Sequence, residues 1–225
     1  MKPIKINILI LLFALIQMPG HAQSEKDMIN TSIIIPLKIG KNPSTHFESL
    51  DIEPANLIIQ SKPIKEHSPH IQLALNIVGK NKEYTTYLWY YDEAMDNQRT
   101  NYPKAFDNYA FSLNINKEEV DLVVEKLDFK KAFFIDIGQT AVIGDITILF
   151  EQCIGEWSED PDGNQVAAFN TYYVSLMEKN EQKTISFTSL NKSVRNELSI
   201  EWKNYTFLVL DDSEKELKLM VCRKD

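Results

Sequence analysis

The chain has 225 residues, 44% of them hydrophobic and 25% charged, with 24 basic against 32 acidic side chains and a net charge of −8. This is the composition of a globular protein and excludes a disordered, collagen-like or multi-span membrane chain. Only Arg99, Arg195 and Arg223 are arginines; an acidic surface short of guanidinium forks repels phosphate backbones, which argues against nucleic acid and anionic lipid as partners.

At the start, Lys2 and Lys5 precede an apolar run from Ile8 to Ile16, followed by Pro19, Gly20, His21 and Ala22. A cationic end, a short apolar stretch and small residues at 20 and 22 predict a secretory signal peptide over residues 1–22, cut after Ala22. The run is about half the ~20 residues that a membrane-spanning helix needs. Cleavage removes two lysines and no acid, leaving 203 residues with a charge of −10. The expected product is an exported protein, periplasmic or secreted, with residues 23–225 as a single domain.

Pro36, Pro43, Pro54, Pro63 and Pro69 fall close together, and proline cannot donate to a sheet ladder, so residues 23–70 are expected to be irregular or at sheet edges. Glu66-His67-Ser68-Pro69-His70 lacks the helical spacing of a zinc-binding H-E-x-x-H, and no G-x-S-x-G elbow or phosphate-cradling glycine loop occurs. No catalytic residue is therefore named. Plentiful carboxylates keep one enzymatic alternative in view, an envelope-polymer hydrolase with paired acids.

Six of the nine tyrosines lie between Tyr84 and Tyr109. Strand alternation from Tyr84 to Tyr91 sets Tyr87, Trp89 and Tyr91 on one face, with rings ~6.7 Å apart along the strand, a spacing suited to stacking on a sugar or peptide. With Arg99 in the adjoining irregular stretch, these residues form the candidate binding site for an extracytoplasmic glycan or protein; a core made of one of the two faces is the competing reading. Residues Asn116 to Leu127 fit both a capped helix, through Asn116-Lys117-Glu118-Glu119, and a strand, through alternating Val120, Leu122 and Val124.

From residue 105 onward the pattern is short strands bounded by polar turns: Phe129–Ile137, Ala141–Cys153, Val166–Met177, Thr184–Thr188, Leu198–Trp202, Tyr205–Leu210 and Leu217–Cys222. Together they predict an all-β fold, an antiparallel Greek-key sandwich of immunoglobulin-like or jelly-roll-like type with at most one short helix, densest over 105–225. No internal repeat is visible. Between two of these strands, Glu156, Glu159, Asp160 and Asp162 surround a Pro-Asp-Gly turn. Calcium is the one cofactor considered, as a calcium-stabilised module, although the EF-hand spacing is not met and a solvated hairpin tip explains the charges equally well. Cys153 and Cys222, each on the more polar face of its strand, leave open either a disulfide or two separate thiols.

The stretch from Ile137-Gly138-Gln139 through Gly144-Asp145 to Phe150, with the hairpin from Tyr205 to Val221, resembles small exported bacterial β proteins. The resemblance covers about the last 90 residues and implies a Greek-key sandwich without a particular activity. Members often carry a cysteine pair after that phenylalanine, which this chain lacks.

Overall fold

The computed structural model describes residues 32–60, 69–79, 82–91, 101–116, 119–189 and 198–224. In chain order the strands are β1 (Ser32–Leu37), β2 (Thr45–Phe47), β3 (Leu50–Ile59), β4 (Ile71–Val78), β5 (Glu83–Tyr90), β6 (Lys104–Phe106), β7 (Tyr109–Asn116) and β8 (Glu119–Lys126). They continue with β9 (Ala132–Asp136), β10 (Thr140–Ile143), β11 (Ile146–Glu159), β12 (Gln165–Glu178), β13 (Glu181–Ser189), β14 (Leu198–Trp202), β15 (Tyr205–Asp212) and β16 (Glu216–Arg223). No helix occurs among the described residues. The expected signal peptide lies outside them.

Alternation drives these strands. In β4, Ile71, Leu73, Leu75 and Ile77 are buried while the residues between them are not, each full burial contributing about 1.5–3 kcal/mol. The ambiguous segment resolves the same way: Val120, Leu122 and Val124 of β8 point into the core with period two. Gly144, at φ +57°, opens the two-residue loop between β10 and β11, a position that favours glycine in a tight hairpin.

The strands form an eight-stranded sheet, in the order β1-β8-β7-β6-β9-β16-β15-β14, and two four-stranded sheets, β2-β3-β4-β5 and β10-β11-β12-β13. The same connectivity occurs twice. β1 leads into the four-stranded meander β2–β5, and the meander β6–β8 then returns so that β8 lies beside β1. β9 leads into β10–β13, and β14–β16 returns so that β16 lies beside β9. Each half is an eight-stranded Greek-key sandwich; the all-β sandwich class was expected from the strand pattern, its occurrence twice on one shared sheet was not. The sequence shows no repeat; the topology does.

The halves share the central sheet through one short parallel pairing, Lys104 of β6 opposite Phe134 of β9. Side-chain parity across this seam determines where the cores lie. Phe106 belongs to the core under β2–β5, whereas Ala105, on the other face of β6, belongs to the core that includes Phe133, Ile135 and Leu217. The two covering sheets therefore pack against opposite faces of the central one. A parallel seam requires this: running β9 alongside β6 reverses the strand direction of the second half, and a same-handed copy does so only by turning over.

Two expectations need correction, and one open alternative is resolved. The proline-rich stretch is not irregular throughout: β3 runs between β2 and β4 as a ten-residue strand, and it accommodates Pro54 at a bulge between Pro54 and Asn56. Cys153 does not lie on the polar face, because a register shift between Phe150 and Gln152 changes the phase of β11 and places Cys153 opposite Tyr172, against the core. Cys222 points to the other face of the central sheet, opposite in parity to the buried Val221. The two thiols are free and separated by the sheet itself, so no disulfide joins them.

Candidate functional site

β5 is an edge strand whose inward residues, Tyr84, Thr86 and Leu88, are buried. Its outward residues Tyr87 and Trp89 are 54% and 50% exposed. Across the ladder, Tyr87 faces Ala74 and Trp89 faces Gln72, whose own partners on β3 are Asn56 and Ile58. The small Ala74 adds no bulk beside the tyrosine ring. Next to the rings runs a polar row: the Thr85 hydroxyl donates to Asn76 Oδ1 (2.9 Å), and Asn76 Nδ2 donates to Glu53 Oε2 (3.2 Å). Hydrogen bonds from Asn76 and then Lys41 hold the Glu53 carboxyl below its ordinary pKa.

Tyr91 departs from the expected platform. Alternation would place it with Tyr87 and Trp89, but it is only 8% exposed. The strand ends at Tyr90, and the Asn101 side chain holds the next residue, accepting from the Tyr91 N–H (2.9 Å) and donating to its carbonyl (3.0 Å). The face therefore carries two rings rather than three. Arg99 lies outside the described residues.

A second cluster, which the sequence reading missed, lies at the seam. Asp136 of β9 accepts hydrogen bonds from the Tyr84 hydroxyl and from Thr86 Oγ1 (2.9 Å), both on β5, and pairs with Lys104 Nζ (3.0 Å), which also reaches Glu216 (3.1 Å). Burial, then the Asp136 charge, pushes the Tyr84 phenol far above its ordinary pKa. The phenol stays protonated as a donor and clamps the covering sheet to the central one. Four chain segments contribute to this cluster, and no local motif announces it.

A third polar cluster lines an open cleft of about 460 Å³ formed by Glu48, Ser49, Leu50, Asp107, Asn108, Tyr109 and Lys126. Glu48 accepts from the Tyr109 hydroxyl (2.6 Å) and from Lys126, whose ammonium sits 3.8 Å from the centre of the Tyr109 ring. The bonds from Lys126 and then Tyr109 lower the Glu48 pKa. Each carboxylate with a resolved shift among the described residues (Glu48, Glu53, Asp160, Glu178 and Glu201) is shifted downward.

The acidic turn folds on itself. Asp160 Oδ1 accepts from the backbone N–H of Asp162 (2.9 Å) and of Asn164 (2.8 Å), and Oδ2 accepts from Asn164 Nδ2 (3.2 Å). These bonds, the backbone of Asn164 first, lower its pKa. Among the described residues, no three of histidine, cysteine, aspartate and glutamate converge as a metal site; Glu156, Glu159, Asp160 and Asp162 are spread along a ribbon and its turn.

The fold and face together define a tandem Greek-key β-sandwich with an exposed two-ring aromatic strand. No family model matches the chain, and no curated protein resembles it by sequence.

Proposed function

We infer that this chain is an exported, non-catalytic binding or scaffold protein of the cell envelope that takes an extracytoplasmic ligand on the outer face of β2–β5. The observation that carries the reading is the pair Tyr87 and Trp89, half exposed side by side on an edge strand whose alternate residues fill the core. Single exposed apolar residues are ordinary; adjacent large rings beside a hydrogen-bonding surface are not. Gln72, Asn76 and Thr85 around the rings supply the donors and acceptors, and Ala74 the open space, that favour a glycan over a protein. Export rests on the cationic-then-apolar start of the sequence.

The test is affinity electrophoresis of the mature protein in gels containing neutral envelope polysaccharides. Tyr87→Ala with Trp89→Ala abolishes retardation while the stability of each single variant changes by no more than about 0.5 kcal/mol, as for exposed sites. Unchanged retardation in the double variant, or a loss of several kcal/mol from Trp89→Ala, overturns the reading. N-terminal sequencing of the exported protein should start at Gln23.

A further inference from the structure

β11 and β12 outrun their neighbours. β10 pairs with β11 only from Ile146 to Leu149, and β13 pairs with β12 only from Asn170 to Glu178. Beyond those limits, residues 151–169 form a two-stranded ribbon closed by the turn at Asp160. Among the described residues, no strand pairs with the outer edge of β11 from Glu151 to Glu159. A two-stranded ribbon is marginal in water by itself, yet this one presents Ile154, Val166 and Trp157, the last 63% exposed, to solvent. The Trp157 indole lies alongside Gly155, its Nε1 4.0 Å from where a β-carbon on that glycine would stand. The ring therefore borders bare backbone.

Charge selects the occupant. Between Lys131 and Lys179 the sequence contains no lysine, arginine or histidine, while the ribbon and its turn carry Glu151, Glu156, Glu159, Asp160 and Asp162. At the root, Tyr172 donates to Asp212 (2.5 Å), bringing the acidic β15–β16 hairpin against the same end of the ribbon. Two copies meeting edge to edge would oppose like charges. We propose that the ribbon is a docking arm for a cationic polypeptide, which adds as a strand along the free edge of β11 and seats a lysine or arginine over Trp157. Main-chain bonds along the edge supply affinity, and the indole face and flanking carboxylates supply the preference for cations.

The probe is a ten-residue peptide of alternating lysine and leucine, with its glutamate–leucine counterpart as control, titrated into the mature protein carrying Trp89→Phe and Trp202→Phe so that Trp157 alone fluoresces. The lysine peptide shifts the emission and binds; the glutamate peptide does neither. Binding weakens steeply as salt rises through the screening range. Trp157→Ala, read by a labelled peptide, lowers affinity about tenfold or more. Glu156→Gln with Glu159→Gln and Asp162→Asn lowers affinity and flattens the salt dependence, while Tyr87→Ala leaves peptide binding unchanged. Trp157 and these acids are exposed, so the melting temperature verifies that each variant is folded. Equal binding of both peptides, or unchanged affinity in both arm variants, overturns the proposal. So does a dimer in light scattering that Trp157→Ala abolishes, which would make a second copy the occupant.

Discussion

The two halves of the molecule repeat one architecture and finish it differently. β6–β7 and β14–β15 turn through the same pattern: Phe106-Asp107-Asn108-Tyr109 in the first half, Trp202-Lys203-Asn204-Tyr205 in the second. Asp107 and Lys203 both take the left-handed backbone region, at φ +48° and +51°. The Asn108 and Asn204 carbonyls both accept from the residue that follows the next strand but one, Leu127 and Lys224. Tyr109 and Tyr205 each donate to a glutamate of the covering sheet, Glu48 and Glu178, and a lysine meets each glutamate. The tyrosine occupies the same place in both halves, but its partners do not: Glu48 lies in the β2–β3 turn and Lys126 ends β8, whereas Glu178 ends β12 and Lys203 lies in the β14–β15 turn, so the two clasps are alike in chemistry and not in position. The outer surfaces differ further: the first half bears aromatic rings on one face, and the second lengthens its central hairpin into an acidic ribbon. Sandwich cores tolerate many residues provided alternation holds, which leaves the outer surfaces free to diverge.

The sharpest test of this duplication is to remove one core. Phe133→Ala, in the second core, should cost about 3–5 kcal/mol, and Leu73→Ala, in the first, about 2–5 kcal/mol; both residues are fully buried. Hydrogen exchange then shows whether protection is lost in both halves together, as a shared sheet requires. Loss confined to one half would make the seam a mere contact.

The seam itself comes next. Asp136→Ala strips partners from the Tyr84 and Thr86 hydroxyls and leaves the nearly buried Lys104 facing only Glu216. A cost of about 2–3 kcal/mol is expected in denaturant unfolding. Tyr84→Phe removes one hydrogen bond and keeps the stacking on Phe106, so about 1 kcal/mol suffices.

The two clasps predict matching acid sensitivity. Glu48 and Glu178 are held below the ordinary value of 4.5, by Lys126 and Lys203 first and by the tyrosines next. A depressed carboxylate contributes stability that is complete above its unfolded-state pKa and lost as pH falls from about 4.5 toward the folded-state value. Glu48→Gln and Glu178→Gln should each flatten the stability profile below that pH and leave its shape above pH 6 unaltered. An unchanged acid limb in either variant breaks the equivalence of the clasps. The smallest effect belongs to the cysteines: with the thiols on opposite sides of the sheet, a reductant should leave the melting temperature unmoved.

Strand content was legible because alternation is written directly into residues such as Ile71 to Ile77 and Val120 to Val124. Phase was less legible. One inserted residue near Glu151 reverses which way Cys153 points, and a bulge has no strong signature without glycine. Pro54 misled for the same reason, since a bulge excuses a proline that a regular ladder would reject. On the candidate face, periodicity put Tyr87 and Trp89 on one side of β5 without saying that this side faces solvent, and it failed for Tyr91, which lies past the strand's end where the Asn101 side chain holds its backbone. The seam cluster joins Tyr84 to Asp136, 52 residues apart in sequence, and Lys104 to Glu216, farther apart still, beyond the reach of any window. The duplicated turn went unread, because an aromatic residue, one intervening residue and Asn-Tyr form too short a pattern to stand out before both copies are seen in the same place.

The inverted second half has a geometric outcome of its own. With one covering sheet above the central layer and the other below, and layers about 10 Å apart, the aromatic face and the sheet that bears the ribbon sit on opposite sides of the slab. A ligand on the aromatic face and a strand added to the ribbon would approach the molecule from opposite sides. The distance between these two outer faces is set by the thickness of three β layers.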